Sequence, residues 1–293
     1  MCNVTRKTGL EDFVGGVSNG QIGAAAMRYT NPITKSLHWQ KAWFFLDGDV
    51  QQIMVSALSS TTNSSVLSVL DQKRFAGTVV NVDAGRSNPR EIDGQLLWHG
   101  NVGYLLPPAN SPFNLSVQVE EKSGSWSAIG TSTQPPTTAK LFTAWISHTS
   151  LQPSLSYIIF PGVSHDQFLK KLLRLRPQIL QNDEHISGVY DTAHAVAIFI
   201  FWDPAGGTAV INREAPSAPI TITVNANVAV IYKIASGDVI VSDPSQTLST
   251  AQVLLALGAG TAPPGWRSER KQTILFQLPG GGLAGSSVIR TLN

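Results

Sequence analysis

Only one stretch of this chain carries helical periodicity. Elsewhere, short alternating or continuous apolar runs are separated by turn signals, among them Ser18-Asn19-Gly20, Asp47-Gly48, Asp93-Gly94 and Ser123-Gly124. Gly and Asn tolerate the left-handed backbone that tight reversals need, so this punctuation predicts antiparallel strands joined by turns, without the alternating helices of βαβ units. Of 293 residues 42% are apolar, enough for one large or two ordinary cores, and 14% are charged, below the roughly 25% of an average soluble domain. The expected fold class is all-β: a large antiparallel β-sandwich, then a smaller C-terminal β-sandwich, with one short linking helix.

The helix is expected over 165–176. Ser164 can cap it, Asp166 sits in its first turn, and Phe168, Leu169, Leu172, Leu173 and Leu175 form an apolar stripe that Pro177 ends. Lys170, Lys171, Arg174 and Arg176 read as a solvated face with cations near the helix C-terminus, in preference to a polyanion site. Before the helix, 117–120 and 141–146 read as strands, the second apolar enough to be buried on both faces. After the polar stretch 181–185, strands resume at 188–190, 193–202, 221–224, 228–232 and 238–241. The expected organisation is a large domain over 1–170, a helix end and linker over 171–188, and a small domain over 189–293.

Charge and hydropathy exclude several partners. A net charge of +2 gives no field that would draw the chain onto nucleic acid. No apolar run reaches the roughly 18 residues of a membrane span. Cys2 is the only cysteine, which rules out an internal disulfide, and the first residues lack the apolar core of a secretory signal, leaving the location open. No cofactor is expected. Gly280-Gly-Gly282 has no helix after it on which to seat a phosphate, and Asp47 and Asp49 around Gly48 read as a turn rather than a calcium loop.

Several motifs, taken in order, resemble the family 8 polysaccharide lyases, the group of hyaluronate, chondroitin and xanthan lyases. They are Phe13-Val-Gly-Gly-Val-Ser18 with Gly23-Ala-Ala-Ala-Met27, Lys41-Ala-Trp-Phe-Phe-Leu-Asp47, Asp71-Gln-Lys-Arg74, Trp98-His-Gly100 with Tyr104, and Gly124-Ser-Trp126. Trp145-Ile-Ser-His148 with Tyr157 and Pro161, and Val241-Ser-Asp-Pro-Ser-Gln246, complete the series. The resemblance implies a large central sandwich followed by a small one. It also implies that the His, Tyr and Arg of the family's chemistry belong to a helical toroid with no counterpart among these residues, so no catalytic residue is carried over.

The residues themselves offer no independent active site. His38, His99, His148, His165, His185 and His194 are scattered, and no Gly-x-Ser-x-Gly elbow is present. His99 and His148, inside aromatic strand segments, read as satisfied packing residues. The leading expectation is a carbohydrate-binding, lectin-like unit without catalysis of its own; the rival is the β-portion of an intact lyase that cleaves uronic-acid polysaccharides by β-elimination. A self-associating protein without a glycan ligand is a third reading, and a homodimer suits each of them. Sugars stack apolar C–H faces on aromatic rings and hydrogen-bond polar groups at the rim. The expected glycan-binding residues are therefore Trp98, His99, Tyr104, Trp126, Arg86 and Arg90. Trp126, between two serines after a turn, is open between platform and core, whereas Trp43 and Trp145, among apolar neighbours, read as core.

Overall fold

The computed structural model describes residues 9–83, 94–174, 177–266 and 269–292. The first part holds β1 (Val14–Ser18), β2 (Gly23–Thr30), β3 (Leu37–Leu46), β4 (Val50–Ser60), β5 (Leu67–Arg74) and β6 (Val79–Asp83). It continues with β7 (Gln95–His99), β8 (Val102–Leu106), β9 (Phe113–Gly124), β10 (Thr137–His148) and β11 (Leu155–Pro161). Helix α1 (His165–Leu172) follows. The second part holds β12 (Gln178–Asn182), β13 (Ile186–Asp191), β14 (Val196–Phe201), β15 (Gly207–Ile211) and β16 (Ile220–Val224), then β17 (Ala229–Lys233), β18 (Asp238–Ser242), β19 (Thr250–Leu257), β20 (Lys271–Gln277) and β21 (Val288–Thr291). The all-β expectation holds. No helix among the described residues is long and apolar enough to cross a membrane.

The described residues form four antiparallel sheets that stack in sequence. A three-stranded sheet, β5-β10-β9, lies on an eight-stranded sheet, β1-β2-β3-β4-β11-β8-β7-β6. A six-stranded sheet, β12-β13-β14-β17-β18-β21, and a four-stranded one, β15-β16-β19-β20, form the second sandwich. Three cores fill the spaces between them. Ile53, Leu97, Phe142 and Ile146 pack between the three- and eight-stranded sheets, and Ile222, Phe199, Val253 and Phe276 between the six- and four-stranded sheets. The third core joins the two sandwiches, with Phe13, Phe44 and Phe160 of the first part against Ile198, Ile200, Trp202 and Ile231 of the second.

This joint explains the most apolar run in the sequence. In β14, Val196, Ile198 and Ile200 face the eight-stranded sheet, while Ala197, Phe199 and Phe201 face the four-stranded one. A strand buried on both faces loses its polar alternation. Segment 141–146, by contrast, buries Phe142, Ala144 and Ile146 on one face and leaves Leu141, Thr143 and Trp145 half-exposed on the other, so it is covered on one face instead of two.

Helix α1 is shorter than its apolar stripe suggested. Ser164 does cap it: its Oγ accepts from Gln167 N at 3.3 Å, and Gln167 Oε1 accepts from Ser164 N at 2.9 Å, a reciprocal capping box. Phe168 and Leu172 are buried, whereas Leu169 and Leu173 face outward; Leu175 and Arg176 lie outside the described residues. Lys171 Nζ donates to the Gly48 carbonyl at 2.7 Å and pairs with Asp49 at 3.6 Å, so the Asp47-Gly48-Asp49 turn docks the helix. The polar stretch expected to be linker instead forms the end of β12 and the turn into β13, where Asp183 Oδ1 accepts from the backbone of His185 and Ile186.

The two sandwiches are stitched along β1. Ser242 Oγ donates to the Gly16 carbonyl at 2.8 Å, and Pro244 lies so close to Gly15 that a Cβ there would come within 2.8 Å of its Cα. The buried Asp243 carboxylate organises this corner. Its two oxygens accept from the backbone N–H groups of Ser245, Thr247 and Leu248 and from the Ser245 hydroxyl, at 2.6–2.8 Å. The Ser-Asp-Pro-Ser-Gln motif is thus a clasp between domains.

Candidate functional site

The sequence-derived glycan residues do not converge. His99 is 1% exposed and Tyr104 3% exposed, both within the core between the three- and eight-stranded sheets, which takes them out of reach of a sugar at the surface. The His99 ring lies between Phe75 and Phe142, at centroid distances of 5.4 and 4.2 Å, and its Nδ1 donates to the Thr78 carbonyl. The Tyr104 hydroxyl donates to Asp71 Oδ2, which also holds Lys73 Nζ at 2.7 Å. Burial, aided by the Asp71 charge, keeps the Tyr104 phenol protonated well above the ordinary tyrosine range. Asp71-Gln-Lys-Arg74 therefore supplies an internal polar clasp.

Trp98, half-buried, packs edge-on against His165 of α1 and donates from Nε1 to the Val163 carbonyl at 2.9 Å. It anchors the helix. Arg86 and Arg90 lie outside the described residues. Trp126 is 51% exposed on a 3₁₀ turn, Trp126–Ala128, and opens a crevice of about 560 Å³ with Ile129, Leu141, Arg74 and Lys122.

A second aromatic cluster follows from the topology. Three strands cannot cover eight, and the three-stranded sheet packs over β4, β11, β8 and β7, leaving the same face of β2 and β3 partly open, with Trp39 and Trp43 packed against the rim of that core. Strand alternation puts Trp39, Lys41 and Trp43 on that open face, with Gln40, Ala42 and Phe44 on the buried one. The register sets Tyr29 opposite Trp39 and Met27 opposite Lys41. The Tyr29 and Trp39 rings stack at 5.0 Å and 21°, and Lys41 Nζ lies 4.9 Å from the centre of Trp43.

The result is a groove of about 380 Å³, floored by Met27, Tyr29, Trp39, Lys41 and Trp43 and walled by Leu67, Ser68 and Val69 of β5. Trp39 and Trp43 stand about 13 Å apart along the strand with the lysine midway. Burial lowers the Lys41 pKa below the ordinary lysine value, and no carboxylate among the described residues pairs with it. Chemically this is an aromatic floor with one cation that lies over Trp43 and has no carboxylate partner among the described residues, suited to a ligand with apolar faces and an anionic substituent. Trp43 packs half-buried against the rim of the core beside the groove, so its expected core role holds in part, whereas Trp145 stands on the outer face of the three-stranded sheet and is not the core residue expected.

The histidines have other engagements. His38 Nδ1 lies 2.9 Å from Thr30 Oγ1, whose hydroxyl donates to Glu11, and His148 Nε2 lies 2.8 Å from Ser68 Oγ. His194 pairs with Asp191 at 2.7 Å and His185 with Glu184 and Asp203. Among the described residues no group of three or more His, Cys, Asp or Glu is arranged to hold a metal ion.

Two antiparallel sandwiches joined in series correspond to the two β-domains of one class of polysaccharide lyases. The model of the polysaccharide lyase family 8 super-sandwich domain matches residues 2–172, and that of the family's C-terminal β-sandwich domain matches 178–252. The chain belongs to polysaccharide lyase family 8. It is 29% identical over 254 residues to chondroitinase-AC of Pedobacter heparinus, covering 83% of this chain and 34% of that protein. It is also 29% identical over 129 residues to the polysaccharide lyase 8 family protein HylA of Enterococcus faecalis, covering 43% of this chain and 9% of HylA. Among solved structures, a chondroitinase AC lyase superposes with a TM-score of 0.77 at 24% identity over 96% of this chain and 40% of that one. Paenibacillus xanthan lyase gives 0.73 at 19% identity over 95% and 28%. At these identities the structural likeness is one of fold.

Proposed function

We propose that this chain is the polysaccharide-holding β-portion of a family 8 lyase, binding an acidic glycan in the Tyr29–Trp39–Lys41–Trp43 groove and not cleaving it unaided. The observation that carries this reading is the groove itself, where aromatic faces and a cation without a carboxylate partner share one open sheet face. β-Elimination needs a base, an acid and a group that neutralises the carboxylate, all in one cleft. The groove supplies a cation and platforms. The relatives named above are lyases, which favours this reading over a free-standing lectin.

The test is retention of the chain by chondroitin sulphate and by xanthan in affinity electrophoresis, with absorbance of the unsaturated uronide followed in parallel. Retention without product is expected. Trp39→Ala should weaken retention on both polymers by roughly ten-fold, the loss of about one stacking contact. Lys41→Met should weaken it on both of these acidic polymers and leave any retention on a neutral glucan unchanged. Unsaturated product from this chain alone, or no retention on any polymer, overturns the reading.

A further inference from the structure

We infer that the outer face of the three-stranded sheet is a second polysaccharide contact, carrying the polymer from the Trp39 groove to the Trp126 crevice. This rests on the groove reading above. The pairing register makes the connection. Leu67 of β5 lies opposite Ser147 of β10, and Arg74 lies opposite Leu141, so the strip runs six residue steps along β10, about 20 Å, from the groove wall to the crevice.

Along that strip the side chains alternate between apolar and polar. Leu67 and Val69 already wall the groove, and both are exposed. Trp145 comes next, between Val69 on β5 and Ser116 on β9. Beyond it, Thr143 lies between Gln72 and Gln118, and Leu141 leads into the crevice, where Trp126 and the 80%-exposed Ile129 overhang the sheet.

The chemistry selects the occupant. A protein partner of this face would want one continuous apolar patch, whereas here single apolar spots are spaced by hydroxyls and amides, the pattern that pyranose rings present in return. Trp145 and the Leu141 position beneath Trp126 lie about 13 Å apart along β10, a spacing close to that of Trp39 and Trp43. At this end Leu141 lies between Arg74 and Glu120; Glu120 is held by Lys122 at 2.8 Å, and Arg74 borders the crevice without a carboxylate partner among the described residues, so two cations and one paired carboxylate leave a net positive charge for an acidic substituent.

Two contacts on one polymer act through effective concentration, so long chains gain and short ones do not. The experiment titrates the 293-residue chain with chondroitin sulphate polymer and with its tetrasaccharide by calorimetry, alongside Trp126→Ala, Arg74→Ala and Trp39→Ala, with light scattering on each. Trp126→Ala and Arg74→Ala should each lower polymer affinity on the order of ten-fold and leave the tetrasaccharide unchanged. Trp39→Ala should lower both. If both crevice variants bind polymer like the parent while Trp39→Ala does not, the strip is not a contact and the groove reading stands. If Trp126→Ala instead turns an oligomeric parent into monomers at unchanged polymer affinity, the face is a contact between copies and the inference falls. If the parent binds neither probe, the groove reading falls with it.

Discussion

His148 illustrates how a single side chain sets a pH limit on this fold. Its Nε2 is taken by Ser68, its Nδ1 is buried without a partner, and Phe113 packs edge-on at 5.4 Å. Burial lowers its pKa below the ordinary 6.5. Protons therefore bind the unfolded chain first as pH falls, so the stability that neutral His148 contributes is complete above 6.5 and is lost progressively down to its lower folded pKa. Urea denaturation at pH 7.5 and pH 5.5, values chosen about one unit either side of that ordinary pKa, should show a fall in midpoint that His148→Gln reduces. At this scale the sequence was partly legible. The packing role of His99 and His148 could be read from their aromatic neighbours, although neither is fully satisfied, since His99 Nε2 and His148 Nδ1 are buried without a partner; the outward side of Trp145 and the groove beside Trp43 could not be read. Both tryptophans lie in runs apolar enough to look enclosed, and only knowing that a sheet of three covers a sheet of eight shows which alternate residues stay open.

Among the elements, α1 is the one whose docking turns on a single glycine. A Cβ built on Gly103 of β8 would lie 2.3 Å from the Phe168 ring, far inside any tolerable contact, so the helix sits where it does because β8 has no side chain there. Gly103→Ala should cost about 1–3 kcal/mol by overpacking. Part of that should return in Gly103→Ala/Phe168→Leu, a non-additivity measurable by a double-mutant cycle in urea. The helix start was legible from Ser164 and from Asp166 in the first turn, and its end was not. The apolar stripe continues past Leu172, yet Leu173 has no sheet beneath it and stays exposed, so periodicity overstated the length. The edge strand β12 was hidden for the opposite reason. Its Gln181 and Asn182 are polar because it pairs on one side only, and in sequence that resembles a linker.

For the whole molecule, the central core makes the two sandwiches one thermodynamic body. Phe13 packs on Trp202 at 5.3 Å, Arg28 donates to the Trp202 carbonyl, and Asn182 donates to the Leu155 carbonyl. A single calorimetric transition, with van't Hoff and calorimetric enthalpies equal, is expected in place of two. Asp243→Ala should lower stability by about 2–4 kcal/mol, because it removes the buried carboxylate that accepts four hydrogen bonds from the 245–248 turn, and should do so without splitting the transition. Sequence order gave away the presence of two sandwiches, through turns, helix and motifs. It gave no sign that β14 belongs to two cores at once, since continuous apolarity does not say what lies on each side.

That double burial bears on how the chain can be divided. The stretch between α1 and β12, where composition turns polar and the family's two domain models meet, is where a biochemist would first separate the halves. A cut there would strip Phe44 and Phe160 from one product and Ile198, Ile231 and Trp202 from the other, turning an interior into two wet hydrophobic surfaces. The halves would meet again as aggregates or as a reconstituted pair, and any ligand test made on either one alone would report on an exposed interior as much as on the groove.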